Sequence, residues 1–557
     1  MNLKRLFHDS PSLFLVPLGG LSEIGMNMMA LVHRGRCMVI DCGVSFPDAY
    51  LPGVDLIMPK IDFFHEYDID VDALVLTHSH EDHLGAVGYL HHKIGSPPIY
   101  GTDFTLAMLE PRMKEAGKYP EKKINKITPG KKFKAGVFEI EPLRVTHSLV
   151  DCVGLAIQTP QGMLVHTGDF KIDHDPIDNW QFDEQRFREL GDQGVRLLMS
   201  DSTNVESPGW SLSEKALSES LEQLIGSVKT GKIIVSLFSS NIHRIQILMD
   251  IAAKVGRRLM LCGRSVLSNV DLARQHGHLS YDWSQLITSR EIDDIPSNKI
   301  MVLSTGTQAE ARSALSKMSH GTHPDVDIDE GDTIIFSSRH IPGNEKRISL
   351  LMNNLHRLGA KVIDFRDAFV HVSGHARQDE LKTIFEWVRP QNFLPVHGEY
   401  RMLCKHYELA KNTIPNTKTF VAENGDVVEL SDKVFRKLAE RVTAGKLFLD
   451  EARNLVPEET IKFRRKMGSQ GIVLVSAVVR RKDFKPLMRL ELESLGLPGE
   501  IDWIELEQSL EELLSEYRGD SDVDFESLEE EISLQVKRYL RRENGLKPVV
   551  IPHIYAV

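Results

Sequence analysis

The sequence predicts an α/β protein with three parts: a strand-rich domain, a parallel α/β domain inserted into it, and a small C-terminal α+β domain. Early in the chain, short apolar and β-branched runs are separated by Gly, Pro and Asp, which is typical of strands joined by turns. Between residues 212 and 365, strand-like and helix-like stretches alternate, as they do in parallel α/β units. A strand-like run then returns at Asn392–Val396 and is followed by His397, so the α/β part interrupts the first domain.

Length and composition favour several compact domains. The 557 residues exceed what one hydrophobic core normally organises, which points to two to four domains. A hydrophobic content of 41% and a charged content of 26% are ordinary for globular proteins and exclude a disordered chain. No run approaches the roughly 20 apolar residues that span a bilayer, and residues 13–18 are too short for a secretory signal. Neither export nor membrane insertion is therefore expected.

Charge and cysteine content restrict the partners and the compartment. A formal charge of -12 argues against a protein that grips nucleic acid through bulk positive charge, so a polyanionic substrate would need local positive charge. The five cysteines contain no C-x-x-C pair and are odd in number. They suit packed thiols in a reducing compartment, and we expect a cytoplasmic protein.

Polar residues follow most of the predicted strands of the first domain. These strands lie at 37–40, 73–76, 138–145, 162–165 and 196–199. Within a few residues of each strand end comes an aspartate or a histidine: Asp41, His78, His147, Asp169 and Asp201. Polar groups that collect at strand ends indicate one shared crevice.

The domain boundaries follow from the changes of pattern. Predicted strands at 232–237, 258–261, 299–303, 333–336 and 361–364 alternate with predicted helices at 242–255, 308–317 and 345–358. We therefore place the inserted domain at 211–366 and the two parts of the first domain at 1–210 and 367–438. Residues 439–460 are interpreted as a linker. The last part, 461–557, contains a predicted strand at 472–479 and an amphipathic helix at 525–542.

The strongest chemical signal is the segment Thr77-His78-Ser79-His80-Glu81-Asp82-His83, directly after a predicted strand. So many imidazoles and carboxylates in one short loop are hard to explain by packing. Because alternate residues of such a loop face the same way, His78 and His80 can bind one cation while Asp82 and His83 turn toward another. The spacing predicts two adjacent metal sites.

Further ligands are expected from His147, Asp169 and His397. Each lies beside a Thr or Gly, whose small size lets the backbone approach a cation closely. One carboxylate, such as that of Asp169, can bridge two ions about 3.5 to 4 Å apart. A shell of imidazole and carboxylate without thiolate favours zinc, and manganese is compatible with the same donors. We therefore expect two zinc ions per chain.

These residues resemble a known family. The H-x-H-x-D-H loop is similar to the signature of the metallo-β-lactamase superfamily, and further motifs resemble the β-CASP nucleases, specifically bacterial ribonuclease J. The further motifs are Gly19-Gly20-Leu21-Ser22-Glu23-Ile24-Gly25, Ser200-Asp201-Ser202-Thr203-Asn204, His371-Val372-Ser373-Gly374-His375 and Pro395-Val396-His397-Gly398-Glu399-Tyr400-Arg401-Met402. The resemblance extends to about residue 450, and Ser22 and Met26 depart from it where Gly and Lys are expected.

The resemblance implies a metallo-β-lactamase αββα sandwich with an inserted β-CASP domain. It also assigns roles to individual residues. It implies that His78, His80 and His147 hold one zinc, that Asp82, His83 and His397 hold the other, and that Asp169 bridges them. Asp41 would orient the ligand loop. Asp201 and His375 match two further motifs beside the metals, with a helix cap and a turn histidine as their alternative roles.

The predicted reaction is phosphodiester hydrolysis. Two cations that share a water lower its pKa toward neutrality and neutralise charge on a phosphoryl group. The leaving 3′-oxygen then needs a proton, for which His375, poised by Asp201, is the candidate general acid. Phosphate contacts are expected from the segments that contain Ser240, Asn241, Arg244 and Arg264, and from His371, Val372, Ser373, Gly374 and His375. Ser240 and Asn241 have an equally good alternative role as caps of the following helix.

The resemblance also implies substrates and assembly. It implies a ribonuclease of RNA processing and decay that acts on single-stranded RNA, as a 5′-to-3′ exonuclease preferring 5′-monophosphate ends and as an endonuclease. It implies a homodimer or homotetramer formed through the C-terminal domain. The family can carry a structural calcium, here at Gly53, Asp55 and Asp450, for which ordinary turn roles are the alternative.

Three other functions stay open at this stage. A lactamase-fold hydrolase of a small thioester or lactam would not explain the inserted domain or the His375 motif. A DNA nuclease of the same fold would differ mainly in its lack of preference for a 2′-hydroxyl. A noncatalytic RNA-binding scaffold would have lost ligands, whereas every expected ligand position is filled here.

Overall fold

A computed structural model describes residues 2–48, 50–117, 119–120, 123–341, 343–482, 484–499, 501–516 and 525–557. The chain divides into two compact units, Met1–Phe46 with Ile57–Lys446, and Pro47–Leu56 with Leu447–Val557. Within the described ranges, no helix combines the length and the apolar character that a membrane span requires. The finer domain boundaries predicted above stay predictions.

The first unit contains most of the regular structure. Its strands are β1 (Leu13–Gly19), β2 (Leu21–Ser22), β3 (Met28–His33), β4 (Arg36–Ile40), β5 (Leu56–Pro59), β6 (Asp70–Val75), β7 (Ile99–Gly101), β8 (Ile124–Lys126), β9 (Phe133–Ala135), β10 (Phe138–Arg144), β11 (Val153–Thr159), β12 (Gly162–His166), β13 (Val195–Asp201), β14 (Ile233–Ser236), β15 (Arg258–Cys262), β16 (Ile300–Ser304), β17 (Thr333–Phe336), β18 (Lys361–Ile363), β19 (Asn392–Val396), β20 (Gly398–Glu399), β21 (Lys418–Thr419), β22 (Asp426–Leu430) and β23 (Phe435–Arg441). Its helices are α1 (Leu3–Asp9), α2 (Asp62–Glu66), α3 (Glu81–Leu84), α4 (Val87–Leu90), α5 (Asp103–Glu115), α6 (Glu184–Gln193), α7 (Glu214–Ser227), α8 (Ile242–Val255), α9 (Arg264–Gln275), α10 (Ala314–Ser319), α11 (Glu345–Arg357), α12 (Gln378–Val388) and α13 (Tyr400–Thr413).

Two large sheets pack face to face. One has the order β23-β22-β1-β3-β4-β6-β7-β8 and the other β21-β19-β13-β12-β11-β10-β9. Apolar residues of both sheets, such as Leu31 of β3 and Leu155 of β11, share one buried core. Helices cover the outer faces: Phe7 of α1 packs edge-on against Phe14 of β1, and Trp387 of α12 lies in the second core. This is the predicted αββα sandwich.

The insertion is a separate parallel sheet with the order β15-β16-β14-β17-β18. The chain leaves the second large sheet after β13 and returns to it at β19, which pairs in parallel with β13. The insertion therefore occupies the connection between two neighbouring strands, as predicted. One predicted helix starts late, at Ala314 instead of residue 308, because Ala309 has a φ of +56°, which an α-helix does not allow, and the Ser313 side chain caps the helix by accepting from the Ser316 backbone N–H.

The second unit is a small α+β fold. Its strands are β24 (Lys446–Leu449), β25 (Leu455–Val456), β26 (Ile472–Val479), β27 (Glu491–Leu495) and β28 (Val549–Ala556), and its helices are α14 (Glu458–Gln470), α15 (Ile504–Glu516) and α16 (Phe525–Asn544). Strand β26 lies between β27 and β28, and Val475 packs with Leu510 and Ile532 from the helices. The predicted linker is more regular than expected, since β24 and β25 pair within it.

All five cysteines are free thiols, and four of them are buried: Cys37, Cys42, Cys152 and Cys262. Burial raises the pKa of the Cys262 thiol to about 12, so it stays protonated at neutral pH. Cys404 is partly exposed. The expected packed thiols are therefore present, and Cys404 is the partial exception.

Candidate metal centre

The ligand loop leaves the carboxyl end of β6 and enters α3. Asp41, which follows β4, accepts hydrogen bonds from the Thr77 backbone N–H at 2.8 Å and the Thr77 hydroxyl at 2.9 Å. Its second oxygen also lies 2.8 Å from Nδ1 of His83. Asp41 is 2% exposed and has a φ of +61°, in the left-handed region of backbone conformation. The aspartate thus contacts the loop at both ends.

The first cluster consists of three converging imidazole nitrogens. Nδ1 of His80 lies 3.0 Å from Nε2 of His78 and 3.2 Å from Nε2 of His147. The other nitrogen of His147 donates to the Gly374 carbonyl at 2.7 Å. The Thr77 hydroxyl gives its proton to Asp41, so Nδ1 of His78 donates to that hydroxyl at 3.0 Å. These bonds leave the converging nitrogens of His78 and His147 as lone-pair donors.

The second cluster lies beside the first and shares a carboxylate with it. Nε2 of His397 is 3.3 Å from Oδ2 of Asp82. Oδ2 of Asp169 lies 3.3 Å from Nε2 of His83, 3.7 Å from Nε2 of His397 and 3.8 Å from Nε2 of His78. Asp169 therefore reaches both clusters and occupies the position expected of a bridging ligand.

The donor set fits divalent cations. The ligand atoms of His78, His80, His147 and Asp169 lie within 4.8 Å of one another, and so do those of Asp82, His83, Asp169 and His397. Imidazole and carboxylate donors without thiolate suit zinc or manganese. Most of the rings also have their other nitrogen held by a protein group, as is usual for metal-binding histidines. The structure thus brings together every residue that the sequence predicted as a ligand.

The protonation of the two clusters differs. Burial lowers the pKa of His80 to about 4 and lowers those of His78 and His147 strongly, so these rings are neutral and ready to bind metal. Burial acts the same way on His83 and His397, but Asp169 and the other carboxylates outweigh it and raise their pKa values well above normal. A cation that binds the second cluster therefore displaces protons.

His375 and Asp201 form a pair next to both clusters. Nδ1 of His375 lies 2.7 Å from Oδ2 of Asp201 and 3.9 Å from Oδ2 of Asp169. Burial alone would lower the pKa of His375, but the Asp201 carboxylate outweighs it and raises the pKa above its ordinary value. Asn204 and Ser211 donate to the His375 carbonyl at 3.2 and 3.0 Å and hold the backbone in place. The ring can therefore keep a proton beside the metal site.

Asp201 also has a local structural role, but it holds a turn at residues 203–206 and does not cap a helix, which was its alternative interpretation. Its Oδ1 accepts hydrogen bonds from the Thr203 backbone at 2.9 Å and from the Thr203 hydroxyl at 2.7 Å. The same hydroxyl lies against Nδ1 of His397. Asp201 therefore links the turn after β13 to both His375 and a metal-ligand candidate, and the two roles coexist.

The residues predicted to contact phosphate differ in their exposure and in their contacts. Asn241 caps α8, because its side-chain oxygen accepts from the Arg244 backbone at 2.9 Å, which is the alternative role considered for it. Ser240 is partly exposed, and Arg264 is exposed at the start of α9. The segment His371, Val372, Ser373, Gly374 leads to His375; Val372 is buried, so only its backbone could meet a phosphate.

The expectation that Arg244 faces phosphate is wrong. Its side chain is fully buried and forms two 2.9 Å hydrogen bonds to Glu214. It also donates to the Ser337 hydroxyl at 2.6 Å and to the Val370 carbonyl at 3.2 Å. Arg244 thus ties the insertion to the segment that carries His371 and His375. Glu214 could not be recognised as its partner from the sequence, because the two residues lie on different helices.

The calcium prediction receives no support from the contacts of its residues. Asp55 pairs with Arg453 at 2.5 Å, and the Gly53 carbonyl accepts from Arg464 at 3.0 Å. Asp450 accepts from the Asn454 backbone at 2.8 Å. Guanidinium groups already face two of these three residues, and the contacts are those of ordinary turns, which was the alternative role.

Several contacts of the centre were missed at the sequence level. Asn27 donates to the Asp82 backbone carbonyl at 3.1 Å, and the Thr203 hydroxyl contacts His397. Gly43 and Gly374 permit close approach: a Cβ on Gly43 would lie 1.7 Å from the Asp82 carbonyl oxygen, and one on Gly374 would lie 2.7 Å from the His147 ring. The glycine signal was present in the sequence, but the partners are distant along the chain.

Fold and centre together define a metallo-hydrolase of the metallo-β-lactamase superfamily with a β-CASP insertion. Family profiles agree segment by segment: the metallo-beta-lactamase superfamily at 24–196, the ribonuclease J beta-CASP domain at 230–355, the Zn-dependent metallo-hydrolase RNA specificity domain at 364–422, and the ribonuclease J C-terminal domain at 459–557. The profiles cover the sandwich, the insertion and the second unit.

Curated relatives extend over nearly the whole chain. Ribonuclease J of Synechocystis sp. is 34% identical over 557 residues, which cover 98% of this chain and 86% of that protein. Ribonuclease J of Mycolicibacterium smegmatis is 36% identical over 542 residues, with 97% and 96% covered. This chain belongs to the ribonuclease J family and is a metal-dependent ribonuclease. A solved structure of a protein of unknown function from Enterococcus faecalis shares the fold, with a TM-score of 0.54 and 15% identity over 75% of this chain and all of that one.

Proposed function

We propose that this chain hydrolyses single-stranded RNA from its 5′ end, with preference for a 5′-monophosphate, and also cuts internally, in RNA processing and decay. The observation that carries the proposal is the Asp169 carboxylate, which lies 3.8 Å from His78 and 3.3 Å from His83 and so joins two His/Asp clusters. We propose zinc for both sites, with manganese as the alternative. When bound, two such cations supply an acidified water and positive charge against the phosphoryl group.

The protein's own residues provide the proton for the leaving group. In the proposed reaction His375 donates its proton to the departing 3′-oxygen, and Asp201, 2.7 Å away, orients the ring and stabilises its charged form. His78, His80 and His147 keep their lone pairs directed into the first cluster, since burial keeps these rings neutral. The Asp41 carboxylate holds the ligand loop against β4.

Contacts to the 5′-phosphate are proposed from two sources. The segment His371–Gly374 can offer backbone N–H groups and the Ser373 hydroxyl, and the insertion can offer Ser240 and Arg264. Resemblance to the family supports this arrangement. We also propose a homodimer or homotetramer through the C-terminal domain and, from the buried thiols, a reducing cytoplasmic compartment.

RNA is the proposed substrate instead of DNA. The match to the RNA specificity domain at 364–422 supports this choice, and that segment contains His371, His375 and His397. The scaffold alternative is disfavoured because every predicted ligand converges. A DNA nuclease remains the second candidate, to be separated by the substrate series below.

The test compares one labelled single-stranded RNA carrying a 5′-monophosphate, triphosphate or hydroxyl with a DNA of the same sequence. Wild-type protein is expected to release mononucleotides fastest from the monophosphorylated RNA, and His80→Ala, which removes one ligand, should abolish release. The exposed His553→Ala in the second unit is the matched control and should cleave normally. Equal cleavage by His80→Ala, or faster cleavage of the DNA, would refute the proposal.

A further inference from the structure

A narrow cavity borders His147, one of the metal-ligand candidates. Its volume is about 20 Å³, which is room for a single water-sized group. The lining comes from the end of β10, from the segment between β12 and α6, and from helices α7 and α8. The sequence analysis assigned no role to this cavity, and the proposed mechanism uses only His147 from its lining.

The acidic groups of the cavity are already engaged. Asp173 pairs with Lys171 at 3.1 Å, Asp178 with His243 at 3.2 Å, Glu214 with Arg244 at 2.9 Å, and Asp151 accepts from the Phe104 backbone at 3.3 Å. Arg144 differs from them. Among the residues that the structure describes, no partner forms a hydrogen bond or ion pair with its guanidinium. The N–H groups of Arg144 are therefore available to a hydrogen-bond acceptor.

Arg144 is held in place by stacking. Its guanidinium carbon lies 3.6 Å from the centre of the Trp180 ring, a contact that fixes the plane of the group and leaves its N–H edge free. Burial lowers the pKa of the guanidinium, although Asp151 and Asp178 act in the opposite direction. A partly dehydrated guanidinium without a hydrogen-bond partner gains from an anionic acceptor such as a phosphate oxygen.

The Trp180 ring extends from its stack with Arg144 to the protein surface. The residue is 55% exposed although it stacks against Arg144, so much of its ring remains open to solvent. Exposed aromatic rings beside an arginine are the usual means by which proteins hold bases of single-stranded nucleic acid. The fold thus places a hydrogen-bond donor for phosphate, Arg144, next to a ring on which a base can stack, Trp180, and Arg144 lies three residues along the chain from His147.

We propose that Arg144 and Trp180 form a nucleotide subsite for the RNA strand. A backbone phosphate oxygen enters the cavity and accepts hydrogen bonds from Arg144, and the adjoining base stacks on the exposed part of Trp180. The inference rests on the proposed RNA hydrolysis and adds a determinant of substrate grip. Both residues bind the strand and take no part in the bond cleavage.

The first test is steady-state kinetics on a 5′-monophosphorylated single-stranded RNA. Trp180→Ala is expected to raise KM about 10-fold with kcat nearly unchanged, as expected for the loss of one base stack. Trp283→Ala is the matched control, because it removes a similar stack with Arg274, 4.5 Å from the ring centre, in the insertion. Substrates with a single abasic site should identify one position at which wild type loses affinity and Trp180→Ala does not.

The second test measures how much the charge of Arg144 contributes to RNA binding. With divalent metal chelated so that RNA is not cut, the dissociation constant is measured against salt concentration. Arg144→Gln should reduce the slope of the logarithmic plot by about 0.7, the value for one phosphate contact on a single strand. A purely structural arginine would leave that slope unchanged.

The outcomes separate the two proposals. The subsite proposal is wrong if Trp180→Ala and Arg144→Gln behave like the control Trp283→Ala in all three measurements, which are KM, the abasic-site profile and the salt slope. The proposed RNA hydrolysis would be unaffected by that result. If the wild type does not cleave RNA, the proposed function itself fails. If Trp180→Ala does not fold, two other measurements decide the question. Trp180→Phe keeps an aromatic ring and should retain most of the affinity, and Arg144→Gln should show the reduced salt slope.

Discussion

At the scale of single residues, the His375–Asp201 pair decides how the reaction depends on pH. The pKa of His375 is raised, so the ring holds its proton at neutral pH and loses it as the pH rises through that value. A general acid works only in its protonated form, so kcat should fall on the alkaline side. Asp201→Asn removes the carboxylate that raises the pKa. We therefore predict that the alkaline limb of kcat moves to lower pH in this variant.

The control for this prediction is His375→Ala. It should lower kcat by about 100-fold or more and abolish the alkaline limb, while metal content measured by elemental analysis stays at the wild-type level. An Asp201→Asn profile that superimposes on the wild-type profile would contradict the role given to the pair. Loss of metal from His375→Ala would instead make His375 a ligand.

Ser22 is a residue whose backbone conformation suits glycine. Its φ is +65°, in the left-handed region, and among the described residues its buried hydroxyl has no hydrogen-bond partner. A residue with a Cβ in this region costs about 1 kcal/mol or more. We predict that Ser22→Gly raises the free energy of unfolding of the first unit by about 1 kcal/mol, measured by denaturant titration.

Ser22→Ala is the comparison for that measurement. It removes the unsatisfied hydroxyl but keeps the Cβ, so the backbone strain should remain and the gain should be smaller. An equal gain in both variants would assign the effect to the hydroxyl. Destabilisation by Ser22→Gly would mean that the backbone at this end of β2 tolerates the side chain without strain.

At the scale of secondary-structure elements, one buried ion pair connects α7, α8 and β17 to the segment before His371. Arg244 is 0% exposed and bonds to Glu214, Ser337 and Val370. Breaking a buried pair by removing one partner typically costs about 3 to 5 kcal/mol, because the other charge is left without compensation. We predict a loss of this size for Glu214→Gln, measured by chemical unfolding.

The same pair has a defined pH dependence. Burial raises the pKa of Glu214, but Arg244 outweighs burial and lowers it to about 2. Stability from such a group is present above its ordinary pKa and is lost as the pH falls toward the lowered value. Wild type should therefore lose stability between about pH 4.5 and 2, and Glu214→Gln should lack that part of the loss. The double variant Glu214→Leu with Arg244→Met should recover much of the stability, since neither charge is then buried alone.

At the scale of the whole first unit, the metal centre joins parts of the sandwich that are far apart along the chain. Its candidate ligands follow β6, β10, β12 and β19, so a bound cation crosslinks both large sheets. A ligand that binds only the folded state at 100 times its Kd adds about 2.7 kcal/mol. We predict that EDTA lowers the thermal unfolding midpoint of wild type and has a smaller effect on His80→Ala. An unchanged wild-type midpoint would contradict metal binding at this centre.

Patterns within a short stretch of sequence predicted much of the centre. His78, His80, Asp82 and His83 are detectable because they lie in one loop after an apolar strand, and the strand ends predicted that Asp41, Asp169 and His397 would meet them. Asn27, Gly43 and Glu214 were not detectable, because each acts on a partner that only the fold brings near. Arg244 was misplaced for the same reason: a guanidinium near a helix start looks like a phosphate contact until its partner is known.

The sequence by itself determined the chemistry, meaning the types and spacing of the ligands, the inserted parallel sheet and the small final domain. These are local properties, because periodicity and adjacent side chains are set by neighbours along the chain. Only the tertiary structure decided which arginine side chains have hydrogen-bond partners. Arg244 lies buried against Glu214, whereas Arg144 stacks on Trp180 with its N–H edge unused. Such pairings depend on distances between remote segments, which packing sets and local pattern does not encode.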